Sequence, residues 1–252
     1  MPHYTIGSQQ PQITPDAGAG KWCSEPASSK NSAFKAVLVP MLDGAALELA
    51  VGPEASAQMK HYMGNSGLEF HHNVAALIKK SHYLRTLFTQ EVEQAKAFCE
   101  QLNPGTNIPI CSTQTAGGYF RRDSDPHLFF AIGGFQYWGQ GLVDVVALPD
   151  RYRYLCLKFE FHLYDRYNWD KGKFIEINTP WDGLMARKHR IDDEQLQEFH
   201  RQCLAQEYDV RGLAKQTFEW HIEVRNNPFD VLNAPNAENN KPPHAPLGAV
   251  KK

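Results

Sequence analysis

The chain has 252 residues, 42% of them hydrophobic and 21% charged, with a formal net charge of −2. That length holds one large domain or two small ones and a sizeable core. No basic face stands out, which argues against a nucleic-acid binder, and Arg121-Arg122 and Lys79-Lys80 read as solvated surface rather than phosphate clamps.

Residues 1–32, rich in Gly, Pro, Ser, Gln and Ala, read as a flexible or extended leader. They carry no positive stretch followed by an apolar one, so no secretory signal is expected, and no run approaches 18 apolar residues. The segment AFKAVLVPMLDGAALELAV, 33–51, is interrupted by Pro40 and reads as a strand, a turn and a short helix or strand. Residues 54–63 read as a helix stopped by Gly64 to Gly67. In 73–102, Leu84, Leu87, Phe88, Val92, Ala95, Phe98 and Leu102 recur at helical spacing until Asn103-Pro104-Gly105.

The period then changes. Strands are expected near 108–115, 117–121, 128–133, 142–148 and 152–164, with Gly117-Gly118, Gly133-Gly134 and Pro149-Asp150 at turns or bulges. In the last of these Leu155, Leu157, Phe159, Phe161 and Leu163 alternate with Tyr154, Cys156, Lys158, Glu160 and His162, which defines one buried face. DDEQLQEFHRQCLAQ, 192–206, reads as a helix with Asp192 or Asp193 as cap, and 217–224 as a final strand. The tail 226–252 reads as mobile or surface-draped. Helices first and a sheet afterwards imply an α+β architecture. The five cysteines, 23, 99, 111, 156 and 203, are odd in number and contain no CxxC pair. That argues against a disulfide framework or a zinc knuckle, with Cys156 and Cys203 read as core thiols.

Chemistry concentrates where the long strand ends. Asp165, Arg166, Tyr167, Asn168, Trp169, Asp170, Lys171 and Lys173 fall within nine positions. Close carboxylates can hold Mg²⁺ through oxygen ligands, or one can act as a general base if its surroundings raise its pKa. A tyrosine between them can donate to a phosphate oxygen, and Lys171, Lys173, Arg187, Lys188, His189 and Arg190 are candidates to neutralise phosphate charge. Asp and Asn are also ordinary turn residues, so an active site and a busy polar turn both stay open. His71-His72, on opposite faces of a strand, and Asp123, Asp125 and His127 carry ligand chemistry but read as non-metal positions.

Three separated stretches resemble colicin M and its relatives, bacteriocins that degrade lipid II. They are AQMKHYMGNSG, 57–67, with HHNVAAL after it; AIGGFQYWGQGLVDVV, 131–146; and the strand running into YDRYNWD, 164–170, similar to the family's Asp-x-Tyr-Asp-Phe/Trp signature. KHRIDDEQLQEF, 188–199, resembles the family's His-Arg pair and following helix, and AQEYDVRG, 205–212, its closing turn. The ordered likeness covers about 55–224. It implies N-terminal helices packed on a curved, partly closed antiparallel β-barrel, with a leader at 1–32, a catalytic domain at 33–225 and a tail at 226–252.

The resemblance further implies a Mg²⁺-dependent toxin that hydrolyses lipid II between lipid and pyrophosphate, at the periplasmic side of the inner membrane. Asp165 and Asp170 would bind Mg²⁺ or activate water, Tyr167 and Asn168 orient the pyrophosphate, His189 act as acid or base, and Arg190 neutralise charge. Lys171, Lys173 and Trp169 would contact substrate, and Trp138, Trp169 or Trp181 would meet the membrane interface unless, as read for Trp138, they pack in the core. The short leader points to delivery by a contact-dependent machine of the type VI kind, with an immunity protein in the producer. Two departures stand out: Asn168 replaces the family's aspartate, and 171–187 forms an insert before His189-Arg190. Two rivals stay open: a phosphatase or phosphodiesterase using the same carboxylates on another phosphorylated substrate, and, favoured by Asn168, a non-catalytic binding or membrane-perturbing effector.

Overall fold

The alternation over 152–167 becomes the middle of a seven-stranded sheet. The computed structural model describes residues 3–43, 51–169, 174–179 and 187–224. Strand β5 (Gly134–Ala147) and strand β6 (Tyr152–Tyr167) run antiparallel along their length, and β9 (Tyr208–Glu223) covers the other edge of β6 from Tyr152↔Glu223 to Tyr167↔Tyr208. The free edge of β5 takes two short strands in tandem, β3 (Gly105–Ser112) and β4 (Ala116–Tyr119). Two three-residue strands finish the sheet: β1 (Tyr4–Ile6) antiparallel to β3, and β2 (Phe70–His72) parallel to β9.

The α+β class expected from the chain is therefore observed, but the barrel is not. The order β1-β3-β5-β6-β9-β2 leaves an open sheet, with β1 and β2 as its outer strands. Closure needs long staggered strands that can meet, and strands of three residues offer few backbone groups to pair. A separate hairpin, β7 (Phe174–Thr179) with β8 (Arg187–Asp192), carries the insert.

The inward face of β6 packs under helices. Leu155, Leu157, Phe159, Phe161 and Leu163 are at most 1% exposed. Above them lies α4 (His82–Cys99), whose Leu84, Leu87, Val92 and Ala95 form the buried stripe read from their spacing. Helix α2 (Pro53–Met63), the short α3 (Val74–Lys80) and α6 (Asp193–Arg201) complete that layer. Ser81 caps α4 by accepting from Leu84 N, and Asn73 caps α3 by accepting from Ala76 N, which satisfies N–H groups the helices cannot pair themselves.

Several local expectations are overturned. Residues 33–43 are not a strand but the body of α1 (Ser29–Asp43), with Pro40 inside it. Ser28 Oγ accepts from Asn31 N at the helix start, and Leu38 and Leu42 face the core one turn apart; tertiary burial outweighs the valines and the proline. The strand expected at 128–133 is α5 (Pro126–Ala131), opened by Pro126 and ended at Gly133 with φ +64°. The leader is not loose. Tyr4 is 1% exposed, Tyr4 Oη donates to Glu91 at 2.8 Å, and Ile13 packs on a second core of Cys111, Trp138 and Tyr164 on the outward face of the sheet. Trp138 is thus a core residue, stacked on His162. Cys203 is no core thiol: it forms a disulfide with Cys23, 180 residues away. Cys156 is half-buried on the outward face. The tail lies outside the described residues.

His72 yields a prediction. The adjacent histidines do point opposite ways: His71 is exposed beside Glu69, whereas His72 is 9% exposed. Gln58 donates one N–H to Ala131 O at 2.7 Å, and its Nε2 lies 2.8 Å from His72 Nε2. That nitrogen must accept, so the ring is neutral with its proton on Nδ1. Burial lowers the pKa to about 4, against the opposing pull of Glu54. A lowered histidine pKa means that the native state binds fewer protons than the unfolded one. Its stability contribution is intact above pH 6.5 and is lost as pH falls towards 4, about 3 kcal/mol in all. Urea midpoints at pH 7 and 4.5 should show this loss, and His72→Gln should suppress it; parallel losses in both proteins would place its origin elsewhere.

Candidate active site

Past Leu163 the inward face of β6 changes character. The next two residues on that face are Asp165 and Tyr167. They border a cleft of about 500 Å³. Asn168 and Trp169 continue the same wall. Asp165 is 9% exposed and Tyr167 6%. A carboxylate on a face otherwise made of Leu and Phe costs free energy unless it is engaged, so this position is not filler.

The tyrosine is fixed by aromatic packing. Tyr167 stacks on Tyr208 with ring centroids 5.1 Å apart, and meets Trp169 edge-on at 5.3 Å. Tyr62 packs on both, and its hydroxyl donates to Leu196 O at 2.6 Å. Burial first, then the charges of Asp193 and Asp165, push the Tyr167 phenol well above its ordinary pKa. It therefore keeps its proton and can donate a hydrogen bond but not act as a base. Trp169 is held through its carbonyl, which accepts from Gln197 Nε2 of α6.

Arg166, on the opposite face of the strand, also reaches the cleft. Its guanidinium bonds Asp209 at 3.1 Å and lies 3.8 Å from Glu207. Tyr164 Oη donates to the same Asp209 oxygen at 3.0 Å. Glu207 is 3% exposed, and burial raises its pKa although Ala19 N and Arg166 oppose the shift.

The rest of the cleft comes from remote segments. Asp193, 4% exposed in the first turn of α6, and Asp16 of the leader add carboxylates. Arg122 adds a cation, seated over the Phe130 ring at 5.4 Å. Val51, Ala55, Met59, Tyr119, Phe129, Phe130 and Phe174 make an apolar wall; Tyr119 is 48% and Phe174 40% exposed at its mouth.

Of the expected site residues, then, Asp165, Tyr167, Asn168 and Trp169 share one cleft. Asp170, Lys171, Lys173 and Trp181 lie outside the described residues. His189 and Arg190 stand on β8, opposite Ile177 and Glu176, and their side chains lie outside the described part. The histidines passed over in favour of His189 do not line the cleft: His162 stacks on Trp138, and His200 Nδ1 accepts from Glu207 N. Three cleft residues were missed. Arg122 was read as surface, Asp193 as a helix cap, and Asp16 as part of a featureless leader. The side chain of Asp192, at the cap position, makes no capping hydrogen bond, a sign that the Asp-Asp pair is not there only to start the helix. Among the described residues no three of His, Cys, Asp and Glu gather as a metal cluster, and no described helix is long and apolar enough to cross a membrane.

The chain matches no family model and no curated protein sequence. Among solved structures it is similar to the bacteriocin syringacin M from Pseudomonas syringae pv. tomato DC3000, at 9% identity and a TM-score of 0.33 over 68% of this chain. The match takes in 52% of that chain, so the alignment spans about half of the neighbour's length.

Proposed function

We propose that the chain is an antibacterial toxin that hydrolyses a polyprenyl-pyrophosphate precursor such as lipid II, in the manner of the colicin M family its sequence resembles. One observation carries this reading: a single cleft joins a polar end, Asp165, Tyr167, Asn168, Asp193, Arg122 and Arg166, to an apolar aromatic wall. A charged headgroup on a hydrocarbon chain needs both halves.

The polar end has the chemistry for the ester bond between prenol and pyrophosphate. Asp165 would orient or deprotonate the attacking water. Tyr167 would donate to a phosphate oxygen, since its phenol stays protonated, and Asn168 would supply an amide donor beside it. Arg122 and Arg166, together with Arg190, would neutralise charge as the prenyl oxygen leaves and takes up a proton, from His189 in the proposed assignment. Of the cleft's oxygen donors, Asp165 with Asn168 or Asp193 is of the type Mg²⁺ accepts, since the ion takes one or two protein carboxylates and keeps several waters; Asp170 is the proposed further ligand. When bound, the ion would offset pyrophosphate charge. Lys171, Lys173 and Trp169 remain the proposed substrate contacts.

Purified protein incubated with lipid II and Mg²⁺, with products followed by chromatography, tests this. Free polyprenol and a pyrophosphorylated headgroup are expected, and EDTA should abolish both. No turnover of lipid II, undecaprenyl phosphate or undecaprenyl pyrophosphate would sink the reading. Asn168, an amide where the family has a carboxylate, favours a second reading: a non-catalytic binding or membrane-perturbing effector. Toxicity that survives Asp165→Ala with His189→Ala would select it. Delivery by a contact-dependent secretion machine to the target periplasm, with an immunity protein in the producer, belongs to the same proposal; killing of intact cells by added protein would exclude injection.

A further inference from the structure

The Cys23–Cys203 bond joins the leader to the turn after α6, and Asp16, seven residues before Cys23, lines the cleft. Ala19 N donates to Glu207 Oε1 at 2.8 Å, and His200 Nε2 lies 3.1 Å from Gly20 O. Cys23 N and Glu25 N donate to the carbonyls of His200 and Arg201, Arg201 Nε donates to Glu25, and Ser28 N donates to Gln202 Oε1. Residues 16–28 thus lie as a strap over α6 and the turn that leads into β9. Asp16, at its start, lines the cleft, and Asp16 to Ala19 border a second hollow with Asn168, Trp169, Gln197 and Arg201.

None of residues 16–28 is buried, so apolar burial contributes little. Hydrogen bonds that water can replace gain little net free energy, while every ordered residue loses conformational freedom. A handful of such bonds over thirteen residues is a weak tether, and the covalent bond supplies the constraint they lack. Its neighbours are anchored independently, Tyr4 and Ile13 before it and Asn31 after it. Opening the bond therefore frees the strap without uncovering the sheet.

We infer that the Cys23–Cys203 disulfide is a redox latch beside the cleft: closed, it holds residues 16–28 against α6 and Glu207 with Asp16 at the edge of the site; opened by a dithiol, it lets that strap go. The exchange balances. A thiolate of the dithiol attacks one sulfur, the second thiol displaces the mixed disulfide, and two electrons and two protons pass to Cys23 and Cys203 while the dithiol becomes a disulfide. Release takes Asp16 from the cleft and the Ala19 N–H from Glu207, the buried carboxylate beside Arg166. Glu207 precedes Tyr208, on which Tyr167 stacks, so the slack reaches the site. The protein is then incomplete in a thiol-reducing compartment and complete where disulfides form. Only the catalytic consequence rests on the proposed function.

Hydrogen exchange on the full chain, oxidised and then reduced with dithiothreitol under native conditions, tests the latch, with free thiols counted by mass. Reduction should raise exchange about tenfold or more in 16–28, with a smaller rise in 165–169 and 203–209, and leave β5 and β6 unchanged. Reoxidation should restore it, and Cys23→Ser should match the reduced protein and ignore dithiothreitol. An unmoved strap, a freed strap with 165–169 unmoved, or a rise across the whole sheet would each overturn the latch. If Cys23→Ser does not fold, reduction of the folded wild type still gives the answer. Turnover of lipid II should fall about tenfold or more on reduction, through the lost positioning. If the oxidised protein shows no turnover, the proposed function fails while the exchange result still judges the latch.

Discussion

Asp165→Ala should lower turnover of a polyprenyl-pyrophosphate substrate by about 10³-fold, within the 10²–10⁴ range that a positioned acid–base group contributes. The size follows from position. Asp165 sits on the inward face of β6 two residues beyond Leu163, paired in register with Val210 and followed on the same face by Tyr167. Its carboxylate is 9% exposed and at the cleft, so a substrate there meets it where water is scarce and charge interactions are strong. Asp165→Asn should lose nearly as much, because the amide keeps the shape but neither takes a proton nor carries the charge. The loss should fall on kcat more than on KM, since remote apolar contacts along Phe129, Phe130 and Met59 still bind the chain. Steady-state rates with circular dichroism as a folding control check this, and a rate within threefold of wild type would remove Asp165 from the chemistry.

The wall that carries Asp165 was legible because it is local. Period-two alternation placed Phe161 and Leu163 inward, and the acidic-aromatic run at 165–169 follows within one turn of chain. The stripe on α4 was legible for the same reason. What failed was either ambiguous locally or long-range. A short apolar run with a proline fits a strand as well as a helix, which is how α1 and α5 were misread. Nothing near Cys23 points to Cys203, because pairing over 180 residues is a property of the fold. Asp16, Arg122 and Asp193 meet the cleft for the same reason, and each had an adequate local explanation as leader, surface or cap. Openness of the sheet was equally hidden: alternation fixes which face is buried, not whether the outer strands meet.

Glu91→Ala should destabilise the fold by about 3–5 kcal/mol, the cost of removing one partner from a buried charged network. Glu91 is 2% exposed on α4. Its Oε1 accepts from Tyr4 Oη at 2.8 Å and from Ser112 Oγ at 2.8 Å, and lies 3.0 Å from His3 Nε2. Truncation removes the acceptor of the buried Tyr4 hydroxyl, leaves Ser112 Oγ only Gly139 O at 3.1 Å, and opens a cavity between helix and sheet, so desolvation and packing losses add. The site has no slack to absorb them: a Cβ on Gly139 would sit 2.0 Å from Tyr4 Oη, and Ser112 Oγ accepts from Gly139 N at 2.9 Å. Glu91→Gln keeps an acceptor and should cost only about 1–2 kcal/mol. Urea unfolding measures both, and a loss below about 1 kcal/mol for the alanine variant would mean that water replaces the carboxylate. The consequence extends past stability. Glu91 fastens the leader at Tyr4, ahead of the strap, and Cys203 fastens it at Cys23. Losing the first anchor should peel β1 from β3 and raise exchange at 4–6 while the disulfide still holds 16–28. Opening the disulfide should do the reverse, because the two ends of the leader are held by unrelated means, one a buried carboxylate and the other a covalent bond.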